Sequence, residues 1–302
     1  MNMRIALATM ALLAACSHSA SAANSPEKIL FEDAHIRFVE VTNRPGVNRD
    51  PAVPYPSVVL SDAADPKLQV TPVDENAAKT ETHSITSRPG NKNPFPLCRV
   101  QSAVGARTVT VEGPLPQHYY RIDYKRIDGT GYPANWRIWY RDVFGPPKKV
   151  VPDLGTSLLA GKPYSQEWPY DIRYNAADAA PEVHNIRYHD DRLELIEVAI
   201  RTGEVEHMHG HPYYSVFADD GGFWPAGADY ANEDLSKSSF AAFGDFTSPR
   251  DEPTFPKCWS STPQAPHRVT IKGGPPQHFY RVHFKQIVGE AYKTPSPGAS
   301  RL

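Results

Sequence analysis

The feature that most constrains this 302-residue chain is an internal duplication. Val109–Gly129 and Val269–Gly289 are identical at eleven of 21 positions, at a constant offset of 160. Phe95-Pro96-Leu97-Cys98 matches Phe255-Pro256-Lys257-Cys258 at the same offset. Further upstream, Val39-Glu40-Val41 and Gly46 match Ile196-Glu197-Val198 and Gly203 at an offset of 157. Pro54-Tyr55-Pro56-Ser57-Val58 matches Pro212-Tyr213-Tyr214-Ser215-Val216 at 158. The blocks keep their order, so the chain is two copies of a unit of about 100 residues joined by a linker.

Each copy reads as strands. Ile36–Val41 and Leu193–Val198 are rich in β-formers, and His278–Phe284 nearly alternates. Clusters such as Gly273-Gly274-Pro275-Pro276 separate the runs. The chain holds 30 prolines, which are costly inside helices and central strands. Short strands with regular turn signals predict an all-β sandwich or barrel in each copy. With 40% hydrophobic and 22% charged residues the chain is not wholly disordered. A formal charge of -2 leaves no basic excess to neutralise phosphates, which argues against a nucleic-acid partner.

Residues 1–22 read as an export leader. Arg4 precedes an apolar run from Ile5 to Ala15, too short to span a membrane. Two processing sites compete: Leu13-Ala14-Ala15-Cys16 resembles a lipobox that would lipidate Cys16, and Ala20-Ser21-Ala22 is an A-x-A site. The mature chain is therefore expected to be periplasmic or exported, touching a membrane only through a lipid on Cys16. The remaining cysteines, Cys98 and Cys258, permit one disulfide. Equivalent points of two copies need not be neighbours, so two separate buried thiols is the preferred reading.

The chemistry concentrates in His207-Met208-His209-Gly210-His211. In an extended strand alternate side chains share a face, so all three imidazoles are expected to point one way, with Met208 packing opposite. Neutral imidazole is the commonest transition-metal ligand. His267, in Gln264-Ala265-Pro266-His267-Arg268, is the candidate partner from a distant strand.

Gly203, five intervening residues and then His209-Gly210-His211 resemble the first motif of the cupin superfamily, G-x5-H-x-H-x3,4-E. Thr262–Arg268 resembles the second, with Gln264 where the family often has Gly. The resemblance covers 29–129 and 184–289 and implies two tandem double-stranded β-helix barrels, a bicupin. It divides the chain into the leader 1–22, an N-terminal barrel 25–130, a linker 131–183 packed on the barrels, a C-terminal barrel 184–290 and a disordered tail 291–302. It assigns His209, His211 and His267 as ligands of one divalent transition metal, iron, manganese, zinc or nickel. The family's glutamate is missing, since Ser215 and Val216 stand where it is expected. His207 is then a fourth ligand, a neighbour of the ligands or the catalytic proton shuttle. The resemblance thus implies an exported metal-dependent enzyme, an oxygenase, hydrolase or lyase acting on a small organic acid or phenol. The alternative is a periplasmic cupin that binds a small molecule or metal without turnover. Either is compatible with a monomer or a homodimer.

The two copies differ at the site. Arg49-Asp50-Pro51-Ala52-Val53, with one gap, stands where the second copy has His207 to His211, and Arg107 stands at His267. The N-terminal barrel is thus expected to bind no metal there and to be structural, dimerising or a closure for one side of the active barrel. His278 matches His118 and reads as structural; His283 matches Asp123 and reads as a surface position. Tyr213, Tyr214, Phe217, Phe223 and Trp224 either line a pocket or pack the core. Asp219-Asp220-Gly221-Gly222 reads as a hairpin turn rather than a calcium loop. Phosphate-cradling, nucleophile-elbow and C-x-x-C motifs are absent from the sequence.

Overall fold

The computed structural model describes residues 26–62, 67–73, 82–83, 96–125, 161–201, 203–219, 228–232, 238–239, 256–271 and 277–287. The leader with Cys16, the linker before residue 161, the turn at Asp220–Gly222, Phe223, Trp224 and the tail lie outside them.

The first copy contributes β1 (Glu27–Glu32), β2 (Ile36–Asn43), β3 (Gly46–Asp50), β4 (Ser57–Ser61), β5 (Leu68–Pro72), β6 (Thr82–His83), β7 (Leu97–Gln101), β8 (Arg107–Val111) and β9 (Gln117–Tyr124). The second contributes β10 (His184–His189), β11 (Leu193–Ile200), β12 (His209–His211), β13 (Tyr214–Asp219), β14 (Ala228–Asn232), β15 (Ser238–Ser239), β16 (Lys257–Ser261), β17 (Gln264–Ile271) and β18 (Gln277–Phe284). Strand order repeats: β1-β2-β9-β4-β7-β6 faces β3-β8-β5, and β10-β11-β18-β13-β16 matches it with β12-β17-β14-β15. All these ladders are antiparallel. Even the irregularities repeat. A register shift falls between Ile29 and Phe31 and again between Ile186 and Tyr188. Gly46 and Gly203 both take positive φ, +100° and +84°, a conformation that costs glycine little. The expected pair of double-stranded β-helix barrels is what the chain forms.

The central strands are buried on both faces: every residue of β11, β13 and β18 is buried. The period of two explains why. On β18, Gln277, Phe279 and Arg281 line the barrel cavity. Tyr280, Val282 and Phe284 point the other way, into a core shared with Phe38, Leu60, Tyr120 and Ile122 of the first copy. The larger sheets of the two barrels therefore pack back to back, and this joint core holds the molecule together. Within the second barrel Ile196, Val198, Ile200, Phe217, Trp259 and Phe279 form a separate core.

This back-to-back packing corrects the reading of the cysteines. Cys98 and Cys258 form a disulfide across 160 residues, with Cα atoms 6.2 Å apart. Equivalent points of two copies do meet when they lie beside the pseudo-two-fold axis, and β7 lies against β16 there. Ser260 Oγ donates to the Pro96 carbonyl across the same seam.

Candidate metal centre

Residues 161–183 lead from the linker into the second barrel and roof its small sheet. They hold a 3-10 turn (Ile172–Tyr174) and a one-turn helix, α1 (Ala176–Ala179). Trp168 is fully buried against Tyr174 and Met208, and its indole N–H donates to the Gln264 carbonyl at 2.8 Å. Its ring lies over Gly210, where an added Cβ would meet Trp168 Cζ2 at 2.8 Å. Asn175 bridges to Gly210. Met208 thus packs in a core, as expected, and the strap ends by delivering His184 to the barrel.

Four imidazoles converge under it. One ring nitrogen from each of His184, His209 and His211 lies within 4.8 Å of the other two. His267 sits opposite His209 in the β12–β17 ladder, and its ring centroid is 4.6 Å from that of His209 and 5.4 Å from that of His211. All four are buried. They line a cavity of ≈ 20 Å³, which holds an ion or a water and little more. Glu206, Gln264, Gln277 and Arg281 complete its polar lining.

Hydrogen bonds set the tautomers. A carbonyl only accepts, so the ring atom facing it must be N–H. His184 Nδ1–H donates to Ala180 O at 3.1 Å, His209 Nδ1–H to His207 O at 2.9 Å, and His267 Nδ1–H to Ala265 O at 2.8 Å. That makes Nε2 the lone-pair nitrogen on each. Burial pushes His184 down to about 3 and His267 to about 4; burial and neighbouring cationic groups hold His209 and His211 well below the usual histidine range. Four neutral imidazoles with lone pairs available and no bulk water fit a transition metal.

The structure brings His209, His211 and His267 together as the sequence implied. It does not bring in His207. That residue precedes β12, so the strand alternation that aligns His209 with His211 does not reach it. Its Nδ1 lies 3.1 Å from Glu182 Oε1, and its side chain does not line the cavity. Ser215, at the family's glutamate position, accepts from Arg281 Nε at 3.0 Å. His184 joins the cluster instead. A single histidine at the start of a strand carries no motif; its one signal is the offset of 157, which pairs it with a charged residue, Glu27.

His283 is a second correction. It is fully buried rather than exposed, because it shares the inner face of β18 with Gln277, Phe279 and Arg281. Its Nε2 lies 3.2 Å from His211 Nδ1, and its Nδ1 lies 2.9 Å from Glu194 Oε2. His278, by contrast, faces outward toward Glu197 Oε1 at 3.0 Å, as a structural residue should.

The first barrel fills the same positions with ion pairs. Asp50 and Arg107, the counterparts of His209 and His267, are 3.1 Å apart. Glu27, the counterpart of His184, pairs with Arg121 at 2.8 Å. Arg37 and Asp123, the counterparts of Glu194 and His283, are 2.8 Å apart. Three carboxylates thus meet three guanidiniums, and the charges close on themselves.

No protein-family model matches the chain, and no curated protein does. Among solved structures it is similar to a cupin 2 conserved barrel domain protein from Leptotrichia buccalis, at 9% identity over 86% of this chain and 88% of that one, with a TM-score of 0.23. AerE from Microcystis aeruginosa aligns at 7% identity over 86% and 97%, with a TM-score of 0.23. A variant of oxalate decarboxylase from Bacillus subtilis aligns at 12% over 85% and 72%, with a TM-score of 0.21. Such distant overlaps transfer no residue roles. The strand order, the repeated register and the placement of His209, His211 and His267 speak for themselves. The chain folds as two tandem β-barrels of the same strand order. The second barrel carries the histidine cluster, and the first carries the ion pairs.

Proposed function

We propose that the chain is an exported, metal-dependent cupin that acts on a small organic acid or phenol in its C-terminal barrel. One divalent transition metal, iron, manganese, zinc or nickel, would be held by His209, His211 and His267 with His184 beside them. The observation that carries this is the convergence of buried, neutral imidazoles whose Nδ1–H groups are already engaged. When bound, the metal supplies Lewis acidity and a site for a water or a chelating oxygen. The chain's own residues do the rest. Arg281, held by Ser215 and by Gln264 Oε1 at 2.7 Å and seated 4.3 Å over the Phe217 ring, puts a fixed positive charge on the cavity wall. That favours an anionic oxygen. Val198, Ile200, Phe217 and Phe279 keep the remaining wall apolar and exclude water. The disulfide supports export, since such bonds persist in oxidising compartments.

The small cavity and the fourth imidazole favour a second reading, a closed four-histidine centre that binds metal without turnover. Two measurements separate the readings. Elemental analysis of the chain from Ala23 onward should find about one metal per chain, and about none in His209→Ala. The cobalt-loaded protein titrated with azide should then show a spectral shift if a coordination position is open. An unchanged spectrum selects the binding role. Full metal stoichiometry in both His209→Ala and His267→Ala would overturn the site.

A further inference from the structure

We propose that His283 and Glu194 are the positioning pair of the metal centre: they orient His211 and fix which of its nitrogens is free. The proposal rests on the metal reading above and extends it to two residues that carry no ligand motif. Three of the four imidazoles have a backbone carbonyl against Nδ1. His211 has instead the ring of His283, at 3.2 Å. Another imidazole can either give or take a proton there, so this contact alone leaves the His211 tautomer undecided. Glu194 decides it. A carboxylate 2.9 Å from His283 Nδ1 requires that nitrogen to donate, which turns His283 Nε2 into an acceptor. His211 Nδ1–H then donates to it, and His211 Nε2 is left as the lone pair. His283 and Glu194 are Cα partners in the β11–β18 ladder, on strands buried along their whole length, so the geometry is rigid.

The duplication supplies an independent comparison. At the same two positions the first barrel has Arg37 and Asp123, bonded at 2.8 Å. A buried pair needed only for packing works with either polarity. In the barrel without a histidine at the His209 and His267 positions, the residue at the His283 position is a carboxylate, which turns to Arg121 at 2.5 Å. In the barrel with the histidines, that residue is an imidazole that hands its second nitrogen to a ligand. The pair changes with the site it faces. Partners of this kind commonly change metal affinity by about 10–100-fold when removed.

The test uses the whole mature chain, with zinc as the probe in competition with a chromophoric chelator, and cobalt for the ligand-field spectrum. His283→Leu should bind zinc about 10–100-fold more weakly than wild type and shift the cobalt bands. His283→Gln can accept from His211 through its amide oxygen and donate to Glu194 through its amide nitrogen, so it should recover most of the affinity. Glu194→Gln should fall between them. The melting temperature of the metal-free forms is followed in parallel. Wild-type zinc affinity and cobalt bands in His283→Leu would overturn the proposal. So would equal loss in His283→Leu and His283→Gln that tracks a common fall in metal-free stability. A wild-type chain that binds neither zinc nor cobalt would overturn the metal reading itself, and the His209→Ala control shows which of the two has failed.

Discussion

At the residue scale, Gly210 shows how tightly the roof fits the centre. It sits between His209 and His211 with the Trp168 ring above it and the Gln264 carbonyl 3.0 Å from where a Cβ would be. Gly210→Ala should therefore destabilise the protein by about 1–3 kcal/mol, the usual range for overpacking, and disturb the flanking histidines. Trp168→Ala should cost about 3–5 kcal/mol through the cavity it leaves. Urea unfolding of the metal-free proteins checks both, and a Gly210→Ala variant as stable as wild type would mean the strap gives way more easily than its contacts suggest. The same residues show how far pattern reading reaches. His209, His211 and His267 are legible because alternation and a short motif bring them together. His184 is not, because its place depends on a strap that arrives from outside the barrel. His283 misleads because its match to Asp123 suggests a polar surface, whereas Asp123 is itself fully buried in an ion pair.

At the element scale, the outer faces of β2 and β9 carry a charged cluster beside the joint core. Glu40 Oε1 lies 3.0 Å from His118 Nε2 and 2.5 Å from Arg192 Nη1 of the second copy, and Asp62 lies 3.6 Å from His118 Nδ1. Burial alone would lower the His118 pKa, but Asp62 and Glu40 outweigh it and raise it to about 9. A raised value means the charged form is stabilising. Its contribution is complete below the ordinary 6.5 and is lost as pH rises through about 9. Unfolding free energy should thus decline between those values by on the order of 1–2 kcal/mol after solvent screening. His118→Gln should be less stable at pH 6 and flatten the slope. Glu40 shows the opposite sign. Its hydrogen bond from His118 leads, opposed by burial and helped by Arg192, and brings it down to about 2. Its contribution is held above about 4.5 and lost as pH falls through about 2. The strands themselves are legible in the sequence, from their β-branched runs and turns. The pairing across the seam is not, because a residue's own strand does not say which outer face becomes an interior.

At the scale of the whole molecule, the shared core and the disulfide join the two barrels into one folding unit. Calorimetry should show a single transition, and replacing both Cys98 and Cys258 by Ser should lower stability by about 2–4 kcal/mol without splitting that transition. Two separate transitions in the wild-type chain would contradict the coupling drawn from the joint core. The duplication is plain in the sequence, and with it the tandem barrels. That one copy keeps the fold with carboxylates and guanidiniums where the other keeps imidazoles is visible there only in part, since the partners of Glu27, Arg37 and Arg121 depend on the barrel being closed.

The Cys98–Cys258 bond also makes a closed ring of more than half the chain, running from the first barrel through the strap and past His184, His209 and His211. A protease that cuts once anywhere inside that ring releases nothing. Both pieces stay covalently joined, and the two sheets stay back to back. Such a nicked molecule should run as one band on a non-reducing gel and as two after reduction.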